Sequence, residues 1–246
     1  MITLAAYCVS KIDNKMTRIS IILSVIYCFL APAVAAQSSD NGQVSNQITE
    51  GVDYTVHPER LSTAAASEQS IDIMLVGYYG SESSARVLDA LLLKQIDSPI
   101  QINIQLLPIV LRESWRPAAK LMMMANQLTD DLTAHKALFT EVQSGNLDWQ
   151  NSQSTERLLQ LISDDQALIE QTIYDSSLPK RLKSIENMLS EYPISSVPTI
   201  IFKGRYTIDA NQAKTPARLM AIINHLENIT LNDLVNNPSN SPAAFD

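Results

Sequence analysis

Cysteine is almost missing from this chain. Of its 246 residues only Cys8 and Cys28 are cysteine, and both stand near the N-terminus. Basic runs are missing too. Eighteen Lys and Arg stand against 26 Asp and Glu, a formal net charge of −8. An acidic chain with no basic cluster has no electrostatic footprint for nucleic acid and is ill suited to an anionic membrane face. Beyond the first 35 residues no stretch approaches 18 consecutive apolar residues, so no transmembrane segment is expected in the mature part. His57, His135 and His225 are isolated and lack metal-ligand spacing, so neither a metal nor any other cofactor is expected. No internal repeat is visible.

What is present divides into a leader and a remainder of single-domain size. The apolar fraction, 46%, is ordinary for a globular protein. Lys11, Lys15 and Arg18 precede an apolar run over 19–30, and the small residues Ala31-Pro32-Ala33-Val34-Ala35-Ala36 follow. This is the order of a secretory signal, with cleavage expected after Ala35; Met16 is an alternative start. Cleavage would remove both cysteines. The mature chain is then expected to form no disulfide, structural or catalytic, although export leads to an oxidising compartment.

The rest of the chain reads in order. Residues 36–50 are polar and read as a flexible spacer. Val52, Tyr54 and Val56 alternate with polar neighbours, the habit of an edge strand. Residues 71–79 are apolar nearly throughout, as a strand covered on both faces should be. Ser81 and Ser83 then offer caps for a helix whose buried stripe reads Val87, Leu88, Leu91, Leu92 and Ile96. Ile100, Ile102, Ile104 and Leu106 alternate with polar residues, giving a strand and hence a right-handed βαβ unit. Residues 112–191 read as helices throughout. Met122-Met123-Met124 point in different directions on a helix, so at least one is expected to face solvent or a groove, although core packing is the preferred reading for the set. A proline-led strand over 197–202, a Lys203-Gly204 turn, a returning strand and a helix opened by Thr215-Pro216 complete the pattern. The last residues read as a flexible tail.

Four features together carry a family resemblance. These are the aromatic strand end Gly77-Tyr78-Tyr79 before the turn, the helical block between two α/β halves, the segment Val197-Pro198-Thr199, and the hairpin from Phe202 through Lys203-Gly204-Arg205 to Tyr206. With the leader, they resemble the bacterial periplasmic thiol:disulfide oxidoreductases of the DsbA type. The resemblance implies an α/β, thioredoxin-like fold with an inserted helical domain. Residues 51–110 would form its first half, 111–192 the insertion, 193–230 the second half and 231–246 a tail. It also implies a periplasmic location.

The family carries Cys-x-x-Cys where this chain has Gly80-Ser81-Glu82-Ser83. A hydroxyl at Ser83 neither ionises at neutral pH nor forms a persistent disulfide, and exchange requires a thiolate. On this ground the sequence excludes thiol–disulfide exchange and predicts a non-catalytic protein. The resemblance assigns Pro198 as the family's cis-proline, with Val197, Thr199, Tyr78 and Tyr79 beside it in a groove. There an extended polypeptide or a periplasmic partner protein can add as a strand without any sulfur, as in a chaperone or assembly factor. Two other readings stay open: a thiol-dependent transferase or isomerase using Ser81 or Ser83 at the helix N-terminus, and a structural component of an envelope complex.

Overall fold

The computed structural model describes residues 47–57, 70–146 and 151–236, all within the unit Val44–Asp246. The expected signal over 1–35, most of the spacer, Cys8, Cys28 and residues 237–246 of the tail lie outside the described residues.

The fold is the α/β, thioredoxin-like arrangement with a helical insertion. The order is β1 (Thr55–Val56), β2 (Ser70–Gly77), α1 (Glu82–Asp97), β3 (Gln101–Pro108), a short 3-10 turn (Glu113–Trp115), α2 (Arg116–Leu128), α3 (Leu132–Gln143), α4 (Ser152–Leu159), α5 (Gln166–Ile173), α6 (Leu178–Leu189), β4 (Thr199–Phe202), β5 (Tyr206–Asp209) and α7 (Pro216–Asn236). The described strands form one sheet in the order β1-β5-β4-β2-β3. β2 and β3 run parallel, with Ile73 beside Ile104, and β4 and β5 return antiparallel. α1 is the crossover that a parallel pair requires.

β2 holds the centre because it is apolar on both faces. Successive side chains of a strand point oppositely. Ile71, Ile73 and Leu75 enter one core with Leu88, Leu91, Ile222 and Ile223 of α1 and α7. Met74 and Val76 enter another with Leu107, Leu189, Tyr192 and Ile201. β1 is the edge strand expected, confined to two residues paired with β5. Val52 lies before it in a turn, 69% exposed.

Two burial expectations are corrected. Ile96 is 78% exposed, whereas Val87, Leu88 and Leu91 are buried. At 100° per residue Ile96 falls about 130° from the middle of that stripe, on the outer side of the last turn. Met122, Met123 and Met124 are all buried. α2 is the central helix of the insertion, packed against β3, α4, α5 and α6, so every direction available to the three methionines meets protein.

The sheet and α7 are fastened by charged contacts. Arg218 on α7 grips the Asp53 carboxylate through Nε at 3.0 Å and Nη2 at 2.8 Å, tying the segment before β1 to the helix. Lys94 pairs with Glu227, which also accepts from Ser98 Oγ at 2.9 Å, joining α1 to α7.

Candidate functional site

The end of β2 delivers the chain to the N-terminus of α1. Ser81 N–H donates to the Tyr78 carbonyl at 2.9 Å, closing the turn. Ser81 has extended backbone angles and is the N-cap; its Oγ accepts from Ser84 N–H at 3.2 Å and lies 2.9 Å from Ser83 Oγ. Its hydroxyl is thus engaged on two sides. Glu82 enters the first turn, where a carboxylate is favourable, and pairs with Arg86, both exposed. Ser84 is wholly buried, and its Oγ has no partner among the described residues.

Gly80 is exposed, yet its side-chain position is filled. A Cβ there would lie 2.4 Å from Tyr78 Cε1 and 2.7 Å from its Cζ and Oη. The Tyr78 ring lies across the place where the resemblance puts a first cysteine. That ring in turn stacks on Trp115, with centroids 4.3 Å apart and planes 4° from parallel. The Arg112 guanidinium carbon stands 5.9 Å from the centre of the Trp115 ring.

Tyr79, which the sequence reading grouped with the groove, turns the other way. It is fully buried; its hydroxyl meets His135 Nδ1 at 2.6 Å, and its ring meets Phe139 edge-on at 4.9 Å. Its carbonyl accepts from Gln143 Nε2 at 3.0 Å. Just past the end of β2, the Tyr-Tyr pair thus supplies one ring to the surface turn and one to the interior. Burial raises the Tyr79 phenol well above its ordinary value. Burial also lowers the His135 imidazole to about 4, keeping it neutral at pH 7.

The second half of the candidate site is the loop before β4, where the Val197–Pro198 peptide bond is cis. Thr199 is buried, its Oγ1 donating to the Ser196 carbonyl at 2.8 Å. Pro198 O accepts from Ala210 N–H at 3.1 Å. Asn211 Nδ2 donates to Val197 O at 3.1 Å and to Ser196 Oγ at 3.1 Å, and Ser196 Oγ meets Asp209 at 2.9 Å. The loop is therefore pinned from the end of β5. Val197 is half-buried, and its N–H donates no hydrogen bond among the described residues.

A pocket of about 170 Å³ joins the two halves, lined by Ser83, Arg86 and Val87 from α1 and by Pro198, Asn211 and Lys214 from the other side. Of the residues expected in the groove, Ser83 and Pro198 meet there, while Tyr79 and Thr199 are withdrawn into the core. Sequence reasoning missed Asn211, Trp115, Arg112 and His135. Asn211 carried a local signal, an Asp-x-Asn spacing with Asp209 at a strand end; the others join the site only through long-range packing. Among the described residues no group of three His, Cys, Asp or Glu is placed to hold a metal ion. No helix of the described residues is long and apolar enough to cross a membrane.

No family model matches this chain, and no curated protein matches it. Solved structures do. The chain is similar to DsbA of Pseudomonas aeruginosa at 14% identity and a TM-score of 0.63, over 73% of this chain and 93% of that one. It is similar to reduced DsbA1 of Neisseria meningitidis at 14% identity and a TM-score of 0.61, over 76% and 98%. It is similar to DsbA of Xylella fastidiosa at 18% identity and a TM-score of 0.59, over 71% and 92%. The chain has a DsbA-like thioredoxin fold.

One expectation is overturned. The sequence reading excluded enzymatic activity because a cleaved chain would hold no cysteine. The chain holds two, Cys8 and Cys28. Both lie outside the described residues, so a lack of cysteine is no ground for excluding activity. What stands is local: the turn 80–83 itself carries no sulfur.

Proposed function

We propose that this protein is an exported, DsbA-like polypeptide-binding protein. It takes an extended segment of a client or partner between the turn 80–83 and the loop 195–198. The observation that carries this reading is the Val197 N–H. Buried backbone donors are nearly always paired, and Val197 is half-buried. Its N–H is unpaired among the described residues, and the next residue, Pro198, lines a pocket shared by both halves of the site. An extended peptide supplies the missing carbonyl by strand addition, which needs main-chain hydrogen bonds and no sulfur.

The chemistry of the turn agrees with binding. The Tyr78 ring closes over position 80, Ser81 Oγ is spent on capping, and Pro198 gives the pocket an apolar wall. Export is supported by the order of basic, apolar and small residues over the leader. A nitrogen-15 NMR titration of the protein with an unfolded, alkylated polypeptide tests the reading. Shifts centred on 81–84, 197–199 and 210–214 are expected. Shifts confined to other surfaces, or none at saturating polypeptide, would refute it.

A further inference from the structure

The loop 195–198 has a second side. There a cleft of about 790 Å³ opens between the segment after β3 and the segment after α6. Ile109, Leu111, Leu189, Pro193 and Ile194 give it apolar surface, and Arg112, Glu113, Arg116 and Glu186 line it as well. Such a volume suits a side chain with its flanking backbone, since ligand sites are mostly apolar with few polar anchors. Leu111, among the lining residues, is 38% exposed.

The charges at the rim are unequal. Arg116 is neutralised inside the chain: its Nε reaches Glu113 at 2.6 Å and its Nη1 reaches Glu186 at 3.2 Å. Arg112 has no carboxylate partner among the described residues and rests instead near the Trp115 ring, itself stacked on Tyr78. An arginine set on an aromatic plane keeps its N–H fork free for a carboxylate. The free fork of Arg112 beside this surface is complementary to a carboxylate, while the Glu113 and Glu186 carboxylates are held by Arg116.

The cleft and the pocket described above lie on either side of one short stretch of backbone. Ser195 lines the cleft and Pro198 lines the pocket. Three residues of extended chain span at most about 10 Å. A polypeptide lying along this stretch reaches both.

We propose that the cleft is a selectivity subsite for the bound polypeptide. It takes an apolar side chain next to an acidic residue, whose carboxylate pairs with Arg112. This inference rests on the polypeptide-binding reading and adds to it a preferred class of segment. It predicts that clients are chosen by an apolar-acidic pair placed about three residues from the part that meets the α1 pocket.

The test uses two capped, fluorescein-labelled peptides, cysteine-free and identical except that one carries Leu-Asp and the other Leu-Lys. Affinities are measured by fluorescence anisotropy for the native protein, for Arg112→Gln and for Arg112→Glu. The native protein should bind the Leu-Asp peptide about five-fold more tightly, as expected for an ion pair at a rim. Arg112→Gln should erase the preference and Arg112→Glu should reverse it, with circular dichroism unchanged. Amides of 109–112 and 193–195 should shift with the Leu-Asp peptide. Equal affinities in the native protein, or a preference that survives Arg112→Glu, would overturn the subsite and leave the binding reading standing. No binding of either peptide would overturn both.

Discussion

His135 should make the stability of this protein fall as pH falls from about 6.5 to about 4. The imidazole is buried, with one nitrogen on the Tyr79 hydroxyl and Nε2 without a partner among the described residues. Burial depresses its pKa to about 4, and the charge of Asp131 pulls the other way. An unfolded chain binds this proton at its ordinary value near 6.5. Between those values the unfolded state binds a proton that the folded state refuses, so stability rises with pH through the window and is lost as pH drops. At about 1.4 kcal/mol per pKa unit, the loss between pH 7 and pH 4 is about 3 kcal/mol. His57, whose pKa burial also lowers, acts in the same direction. Glu113, Asp131 and Asp175 have lowered pKa values through hydrogen bonds to Arg116, Thr133 and Ser177 respectively, and extend the decline at lower pH. The assay is urea unfolding followed by tryptophan fluorescence at pH 7.0, 5.5 and 4.5 for the native protein and His135→Gln. Glutamine can still accept from Tyr79 but does not titrate. Between pH 7.0 and pH 4.5 the variant should lose less stability than the native protein, by about 2.4 kcal/mol. Parallel declines in the two proteins would refute the assignment.

Other perturbations test the site more directly. Gly80→Ala should cost about 1–2 kcal/mol, because the new Cβ expels the Tyr78 ring from its stack on Trp115; urea midpoints should show the cost disappear in a Tyr78→Ala background. Ser81→Ala removes the cap of α1 and should cost about 1 kcal/mol by the same measurement. Glu227→Ala strands the nearly buried Lys94 ammonium and should cost about 3 kcal/mol, visible as a lowered thermal midpoint.

Much of the fold was legible because it rests on local periodicity. The continuous apolar run of β2, the alternation in β3 and the serine caps of α1 each express a rule that acts within a few residues. The strand end Tyr78-Tyr79 was legible as a place, but not in its outcome. Which ring stays at the surface depends on partners more than 30 residues away, Trp115 and His135. Ile96 misled for a geometric reason, since an apolar residue one turn beyond a stripe drifts off its face. The methionines of α2 misled because amphipathic reasoning assumes a solvent side, which a central helix does not have. α7 runs to Asn236, into a polar stretch where no proline or glycine marks an earlier end. Arg112 carried no local signal, since its relation to the candidate site arises from the packing of Trp115 on Tyr78.

The central claim concerns one backbone group, and amide hydrogen exchange reads it directly. In the free protein Val197 N–H has no acceptor within the described chain and should exchange quickly. When an extended peptide adds along the loop 195–198, its carbonyl accepts that hydrogen. Val197 should then slow by about ten-fold or more at saturating peptide, as expected for a main-chain hydrogen bond worth about 1.5 kcal/mol. Buried amides of β2 should change little. Binding that leaves the Val197 exchange rate untouched would contradict strand addition at this site.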